Sequence, residues 1–168
     1  MDLKNNKEAI AIELITKTAA KFAGLDNKHH LIVGYIGIEG SVKDNIEMRR
    51  IWDVRKNIFK SLASNDYFFI EDPYLPAENL LEFLYWLEKN GIPCFGPVGV
   101  GVLHPCFKDR EIIKQMEEQV ITLRGSIGKR FGFGILKKEH VHEVLKDELR
   151  KQKEMFDPAN ILNRDKVV

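Results

Sequence analysis

The chain alternates between segments with two different hydrophobic periods. In five segments apolar residues recur every three or four positions, which is the spacing of amphipathic helices. These segments are residues 5–22, 41–63 with Ser41 as N-cap, 80–89, 109–123 and 139–155. Apolar runs at residues 31–39 and 67–70 predict strands instead. Gly24 and Gly91 lie where the first and third helices are expected to end, and glycine is the residue that most often closes a helix.

Two glycine-rich segments, residues 93–105 and 124–138, break this alternation. In the first, PCFGPVGVGVLHP, the period of two predicts one buried strand with three valines and His104 on one face. Gly99 and Gly101 then fall on the other face. Glycine at alternate strand positions lets another backbone or a ligand approach closely. We therefore expect another backbone or a ligand to pack against the glycine-rich strands of the sheet.

The order of these elements, roughly α-β-α-β-α-β-α-β-α, predicts an α+β fold. We expect a mostly antiparallel sheet with helices on one face, and a ferredoxin-like arrangement is the natural candidate. The chain has 168 residues and contains no long linker, repeat or low-complexity tract. That length is enough for one proper core, so we expect a single domain over residues 1–168.

Composition and charge narrow the functional classes. The chain is 44% hydrophobic and 30% charged, which is typical of a globular protein, and its net charge of +1 gives no general attraction to nucleic acid. No apolar run is long enough for a membrane helix, and the N-terminus does not resemble a signal peptide. Cys94 and Cys106 bracket the predicted glycine-rich strand, which would hold them too far apart for a disulfide. We expect reduced thiols and a cytoplasmic location.

Several short motifs follow one another along the chain. Trp52 and Arg55 form W-x-x-R, and Asp72 and Pro76 form D-x-x-x-P. FGPVGVGVLHP, GSIGKRFGFGILKKE and FDPANILN then follow in that order. Over about residues 31–168 this series resembles the C-terminal domain of FAD-linked oxidases. These are the glycolate oxidase and D-lactate dehydrogenase-like flavoenzymes of the vanillyl-alcohol oxidase superfamily.

The resemblance implies a cap that covers the substrate side of an FAD held mainly by a separate domain. No glycine-rich flavin-binding segment precedes the motifs, so we expect either a fragment or a cap subunit beside a separate FAD-binding chain. The implied substrate is a small 2-hydroxy acid, whose α-carbon gives hydride to the flavin. We expect this chain alone to be inactive, because the flavin supplies the redox chemistry.

The chain departs from the family pattern where that pattern supplies metal ligands. The family reads roughly G-H-V-G-D-G-N-x-H in the first glycine-rich segment, and here Pro97, Val100 and Val102 replace its histidine, aspartate and asparagine. The family's S-G-E-H-G lies at residues 128–132, which read GKRFG. A metal site needs at least three protein ligands that converge, and proline, valine and phenylalanine cannot coordinate. We therefore expect no metal site.

Four residues remain as candidates for the site. The resemblance places His104, Arg130 and Asn163 nearest to it, with Asn163 beside the flavin. His104 is a candidate proton acceptor because the ordinary pKa of histidine lies near neutrality. Arg55 and Arg130 are the candidates for binding the substrate carboxylate. Each residue also has a structural alternative. His104 could be a strand-end histidine bonded to backbone, Arg130 part of a solvated basic turn, and Arg55 an ion-pair partner.

Two functions from other classes stay open. Residues 129–133, KRFGF, are a near miss to the aromatic strand motif of RNA-recognition domains, whose fold is also ferredoxin-like. Against RNA binding, the chain is not strongly basic, and no second aromatic strand is obvious. The other alternative is a purely structural cap, whose apolar glycine-rich face would bind a partner or a second copy.

Overall fold

The computed structural model describes residues 9–35, 44–128 and 137–164. In this part of the chain five strands form one sheet in the order β2-β1-β4-β5-β3, and every pairing is antiparallel. The strands are β1 (Ala9–Ile15), β2 (His30–Tyr35), β3 (Phe69–Ile70), β4 (Cys94–Gly96) and β5 (His104–Phe107). The predicted α+β class with an antiparallel sheet is therefore confirmed. The ferredoxin-like arrangement within that class stays a prediction.

Five α-helices connect or follow these strands in the described residues. They are α1 (Lys17–Ala20), α2 (Asn45–Ala63), α3 (Leu80–Lys89), α4 (Glu111–Thr122) and α5 (Glu143–Phe156). The sequence signals predict α3 at these bounds, and Gly91 beyond it has the left-handed φ of 66° that favours glycine. α2 begins at Asn45, because Asp44 accepts the backbone N–H groups of Ile46 and Glu47. The predicted cap, Ser41, lies outside the described residues.

Helices cover both faces of the sheet, so the expectation of helices on one face was wrong. On one face, α1 and α2 pack their residues Ala19, Ile58 and Leu62 against the sheet. On the other, α3 and α4 contribute Phe83, Leu87, Met116 and Val120. The two central strands β4 and β5 are buried along their whole length because they have a core on each side.

The N-terminal segment is a strand where its spacing predicts a helix. Ala9–Ile15 pairs with β2 along one edge and with β4 along the other. Its short apolar run fits both periods, and pairing between two strands decides the outcome. Thr16 ends the strand because its Oγ1 accepts the N–H groups of Cys94 at 3.0 Å and Ala19 at 3.4 Å. α1 then begins at Lys17 and is followed by a 3-10 turn that Gly24 closes with a φ of 67°.

The first glycine-rich segment is a hairpin and not the single strand that its alternation predicts. β4 and β5 pair through Phe95 with His104, and a 3-10 turn at Val98–Val100 joins them. Gly101 ends this turn with a φ of 75°. The valines therefore do not share a strand face with His104.

The glycine-rich segments do admit another backbone, as expected, and it belongs to the chain's own D-x-x-x-P turn. Leu75 N–H donates to Gly101 at 2.8 Å, and Tyr74 exchanges two bonds of 2.9 Å with Ser126. A Cβ on Gly101 would lie 2.5 Å from the Leu75 carbonyl oxygen, and one on Gly125 would lie 2.5 Å from that of Tyr74. The turn is thus clamped between both glycine-rich segments.

The hairpin also changes the physical account of the two cysteines. Both are free and buried, as expected. However, the hairpin brings their backbones close together, and it is their orientation that separates them: Cys94 belongs to the core under α3, and Cys106 to the core under α2. Adjacent cross-strand positions point to opposite faces, so the thiols cannot meet. Burial raises the pKa of Cys94, and it raises the pKa of Cys106 to about 12.

Within the described residues, no helix combines the length and the apolar character that crossing a membrane requires.

Candidate functional site

Arg55 is anchored between a carboxylate and an aromatic ring. Its Nε donates to Glu13 Oε2 at 2.9 Å, and its guanidinium carbon lies 5.2 Å from the centroid of the Phe95 ring. The Arg55 and Glu13 side chains are 22% and 13% exposed, so water screens this pair less than a surface pair. The ion-pair alternative for Arg55 is thus observed. It does not exclude contact with a substrate, because a guanidinium has five N–H donors.

The fold explains why these three residues meet. Phe95 pairs with Ile15 across β4 and β1, and Glu13 lies two positions before Ile15 on the same strand face. Ile58 of α2 packs on that face, and Arg55 lies one helical turn before it. Strand pairing and helix packing therefore bring Glu13 and Arg55 together from 42 residues apart.

His104 joins the same group through Phe95. The two residues face each other in the β4–β5 ladder, with ring centroids 5.4 Å apart. His104 is 4% exposed, and its Cδ2 would lie 3.1 Å from a Cβ on Gly96, so a glycine is needed where the imidazole packs. We call Glu13, Arg55, Phe95 and His104 the Phe95 cluster.

The other two candidates have different positions. Arg130 lies outside the described residues, as does the whole KRFGF stretch. Asn163 lies beyond α5 in an exposed turn, with a left-handed φ of 47°. Asp157 holds this turn by accepting the N–H groups of Ile161 and Leu162, each at 2.9 Å. The structure therefore brings together His104 and Arg55 and leaves Asn163 at the surface.

Sequence reasoning missed Glu13 and Phe95. Glu13 is the single acid of the apolar run AIAIELI, and this was the available signal. In a helix, that position belongs to an ordinary polar face. In the strand that forms, it points toward α2, where a carboxylate needs a partner. Phe95 gave no signal apart from its place beside the glycines.

A second group of polar residues connects the D-x-x-x-P turn to Lys137 and His140, which precede α5. Lys137 forms ion pairs with Glu71 and with the buried Asp72, the latter at 3.5 Å. His140 lies 3.4 Å from Glu117 of α4, and both side chains are 17% exposed. Burial raises the pKa of Glu117, although the neighbouring His140 acts in the opposite direction. Glu71, Glu117, Lys137 and His140 line a cavity of about 390 Å³.

An apolar groove of about 940 Å³ lies between α3 and the β1–β2 part of the sheet. Leu14 and Leu31 face each other in the ladder, and both line it. Leu14 belongs to the core under α3, so the groove and the Phe95 cluster lie on opposite faces of the sheet. Large apolar side chains remain open to solvent here. They are Leu31, Leu81 and Tyr85, at 51%, 62% and 68% exposure.

With this geometry in view, residues 3–167 match the family described as FAD linked oxidases, C-terminal domain. The chain belongs to this family. The match covers the Phe95 cluster, the clamped turn and the C-terminal turn, and it confirms the resemblance carried by the motifs.

Three relatives give the family context. The chain is 29% identical to "D-2-hydroxyglutarate dehydrogenase" of Escherichia coli over 197 residues, covering 99% of this chain and 19% of that protein. It is 32% identical to the protein of the same name in Pantoea ananatis over 154 residues, covering 74% of this chain and 14% of that protein. The mitochondrial "D-2-hydroxyglutarate dehydrogenase" of Danio rerio is 24% identical over 135 residues, covering 70% and 25%. The chain therefore spans between a seventh and a quarter of these relatives.

Although the chain belongs to this family, its first glycine-rich segment lacks metal-ligand residues of the family motif. Near His104, the positions of the other expected donors hold Pro97, Val100 and Val102, whose side chains have no atom able to bind a cation. In the described residues, no three histidine, cysteine, aspartate or glutamate side chains converge in a way that could hold a metal ion. The donor set does not fit a metal, and we derive no step through one.

Proposed function

We propose that this chain is the C-terminal cap of an FAD-dependent oxidoreductase that acts on a 2-hydroxy acid. The observation that carries the proposal is the family match together with the Phe95 cluster, in which two motif residues distant in sequence contact the same ring. Because the relatives are named for D-2-hydroxyglutarate, that acid is the first substrate to test. Glycolate and D-lactate are the smaller alternatives that the motif resemblance suggests.

Each candidate residue receives a role in this proposal. Arg55 binds the substrate carboxylate, with Arg130 as a second cationic contact. His104 accepts the proton of the substrate hydroxyl, since a neutral imidazole can act as a base near neutral pH. Asn163, exposed at the C-terminal turn, contacts the cofactor held by the partner. When bound, the flavin accepts the hydride from the α-carbon of the substrate.

The FAD-binding part belongs to a partner domain or subunit in this proposal. Residues 1–168 act as one cap domain that is inactive by itself, because most cofactor contacts come from the partner. A cytoplasmic location also belongs to the proposal. The apolar groove supports the need for a partner, since Leu81 and Tyr85 leave a large apolar surface exposed. We assign the FAD-binding polypeptide as its occupant, because the relatives are several times longer than the region that matches this chain. The groove lies beside the edge strand β2, so a partner that fills it can pass around this edge to bring the flavin to the Phe95 cluster.

Co-purification tests the proposal. The tagged full-length chain is isolated from its native source, and the absorption spectrum and composition of the product are recorded. We expect a product that contains this chain, an FAD-binding domain or a second FAD-binding polypeptide, and the absorption of oxidised flavin. If the chain purifies alone and colourless, without a flavin-binding partner, the proposal is wrong.

Substitutions in the complex then separate a catalytic cap from a purely structural one. Arg55→Ala and His104→Ala should leave the flavin content unchanged and lower turnover by about a hundredfold or more. A purely structural cap would keep its full turnover in both variants. Lys56→Ala is the matched control, because Lys56 lies on the same helix in an exposed pair with Asp53.

A further inference from the structure

We infer that Glu13 is a positioning residue that prepares Arg55 to bind the substrate carboxylate. The inference rests on the proposed function and adds to it a residue that neither the motifs nor the family match assigns. It concerns a pair built within this chain, so Arg55 is prepared before a flavin or a partner is present.

The first step is the constraint on the Arg55 side chain. An arginine on a helix surface normally samples many rotamers, and binding a ligand then costs the entropy of fixing one of them. Here the Nε bond to Glu13 at 2.9 Å and the cation–π contact with Phe95, at 5.2 Å from the ring centroid, act on the same guanidinium. Together the two contacts restrict the position of the guanidinium.

The second step concerns the N–H donors of the Arg55 guanidinium that Glu13 does not bind. Within the described residues, Glu13 is the one hydrogen-bond partner of Arg55, and it takes the Nε. The two terminal Nη groups stay available, and they form the fork that binds a carboxylate through two parallel bonds. Glu13 therefore leaves the two Nη groups for the carboxylate of a 2-hydroxy acid.

The third step is the support behind Glu13. Its backbone pairs with Ile32 of β2, and the adjoining residues of β1 pair with Gly96 and Phe95 of β4. A carboxylate on an interior strand moves less than one on a loop. Glu13 is also 13% exposed, so its bond to Arg55 is weakly screened.

A competing reading is that Glu13 blocks Arg55 by occupying it as a counter-ion. The two readings predict opposite results when the Glu13 side chain is removed. If Glu13 blocks Arg55, removing its side chain frees the guanidinium, and anion binding becomes tighter. If Glu13 positions Arg55, removing its side chain leaves Arg55 disordered, and anion binding becomes weaker.

The test is an NMR titration of the full chain with D-lactate, observed at the side-chain Nε resonance of Arg55. Glu13→Gln keeps an oxygen that accepts the Nε–H but removes the negative charge, so D-lactate should bind as tightly as in the wild type or more tightly. Glu13→Ala removes the acceptor, and binding should weaken about tenfold, the effect of losing one charge-assisted hydrogen bond. D-lactamide, which lacks the carboxylate, should leave the resonance unchanged.

Three results would overturn the inference. They are unchanged or tighter D-lactate binding in Glu13→Ala, an equal response to D-lactamide, and no response of Arg55 in the wild type. Asp53→Ala, which breaks an exposed ion pair on the same helix, controls for general effects on α2. Because no flavin is present, this test is independent of the proposed function. That function fails if the flavin complex does not form or turn over, whatever Arg55 binds.

Discussion

Arg55 and His104 lie on different elements and touch the same aromatic ring. This arrangement depends on individual residues that are not the defining positions of the motifs. Phe95 provides a surface for both side chains, Glu13 satisfies the Nε of Arg55, and Gly96 leaves room for the imidazole. The motif positions therefore work through neighbours that only the three-dimensional fold identifies.

A pH titration tests a second residue-scale arrangement, the turn that carries Asn163. The neighbouring Lys153, together with the N–H groups of Ile161 and Leu162, lowers the pKa of Asp157 to about 2. Because this pKa lies below the ordinary value of about 3.9, the contacts are fully present above pH 4 and are lost as the pH falls toward 2. The amide resonances of Ile161 and Leu162 should stay unchanged from pH 7 to about pH 3.5 and shift below that, toward a midpoint near pH 2.

Asp157→Asn should release at least one of the two amides at pH 7, because asparagine has one acceptor oxygen where aspartate has two and its uncharged side chain binds Lys153 weakly. Asp26 is the control, since Lys28 likewise lowers the pKa of its exposed carboxyl but the C-terminal turn does not depend on it. An amide shift centred near pH 4 or above would show that Asp157 does not hold the turn.

At the scale of elements, the two glycine-rich segments hold the D-x-x-x-P turn between them. Gly101→Ala should destabilise the fold by roughly 2–4 kcal/mol. About 1–2 kcal/mol of this comes from its left-handed φ, and the rest from placing a Cβ against the Leu75 carbonyl. Gly91→Ala is a matched control, because Gly91 has a φ of 66° but no atom within 4 Å of its added Cβ. Denaturant unfolding should separate the two variants, and equal losses would contradict the clamped turn.

The elements also show which structural features the sequence could reveal. α3 and the end of α2 follow from periodicity and local stop signals, because these features depend on residues close in sequence. β1 was predicted as a helix because its apolar residues fit both periods, and its pairing with β2 and β4 is non-local. The hairpin at residues 93–105 was missed because regular valine and glycine spacing hides a turn that depends on Gly101.

The site was predictable to a similar extent. Motif order indicated Arg55 and His104, and the structure places both at Phe95. Glu13 could not be assigned while its segment was predicted as a helix, since its direction depends on strand pairing. The contact of His140 with Glu117 left no signal in the sequence, because spacing along one segment does not show which residues of another helix lie beside it.

For the whole molecule, our proposal requires the FAD-binding partner to contact both faces of the sheet around its β2 edge. The partner docks in the apolar groove on one face and brings the flavin to the Phe95 cluster on the other. Tyr85→Glu places a charge in this groove and should weaken association with the partner at least about tenfold. Phe156→Glu is the control, because Phe156 is an exposed aromatic residue of α5 that does not line the groove. Equal affinity of the Tyr85→Glu variant and the wild type, measured by sedimentation, would rule out the groove as the docking surface.

The central claim, that this chain caps an FAD-dependent oxidation of a 2-hydroxy acid, is tested most directly by anaerobic reduction of the flavin in the purified complex. The flavin absorption is followed while D-2-hydroxyglutarate, D-lactate or glycolate is added, with the corresponding amides as controls. Our account predicts that at least one of the acids bleaches the flavin in the wild-type complex. It also predicts that the Arg55→Ala complex, with equal flavin content, is bleached about a hundredfold more slowly. Bleaching at the same rate in both complexes, or by none of the acids, would contradict it.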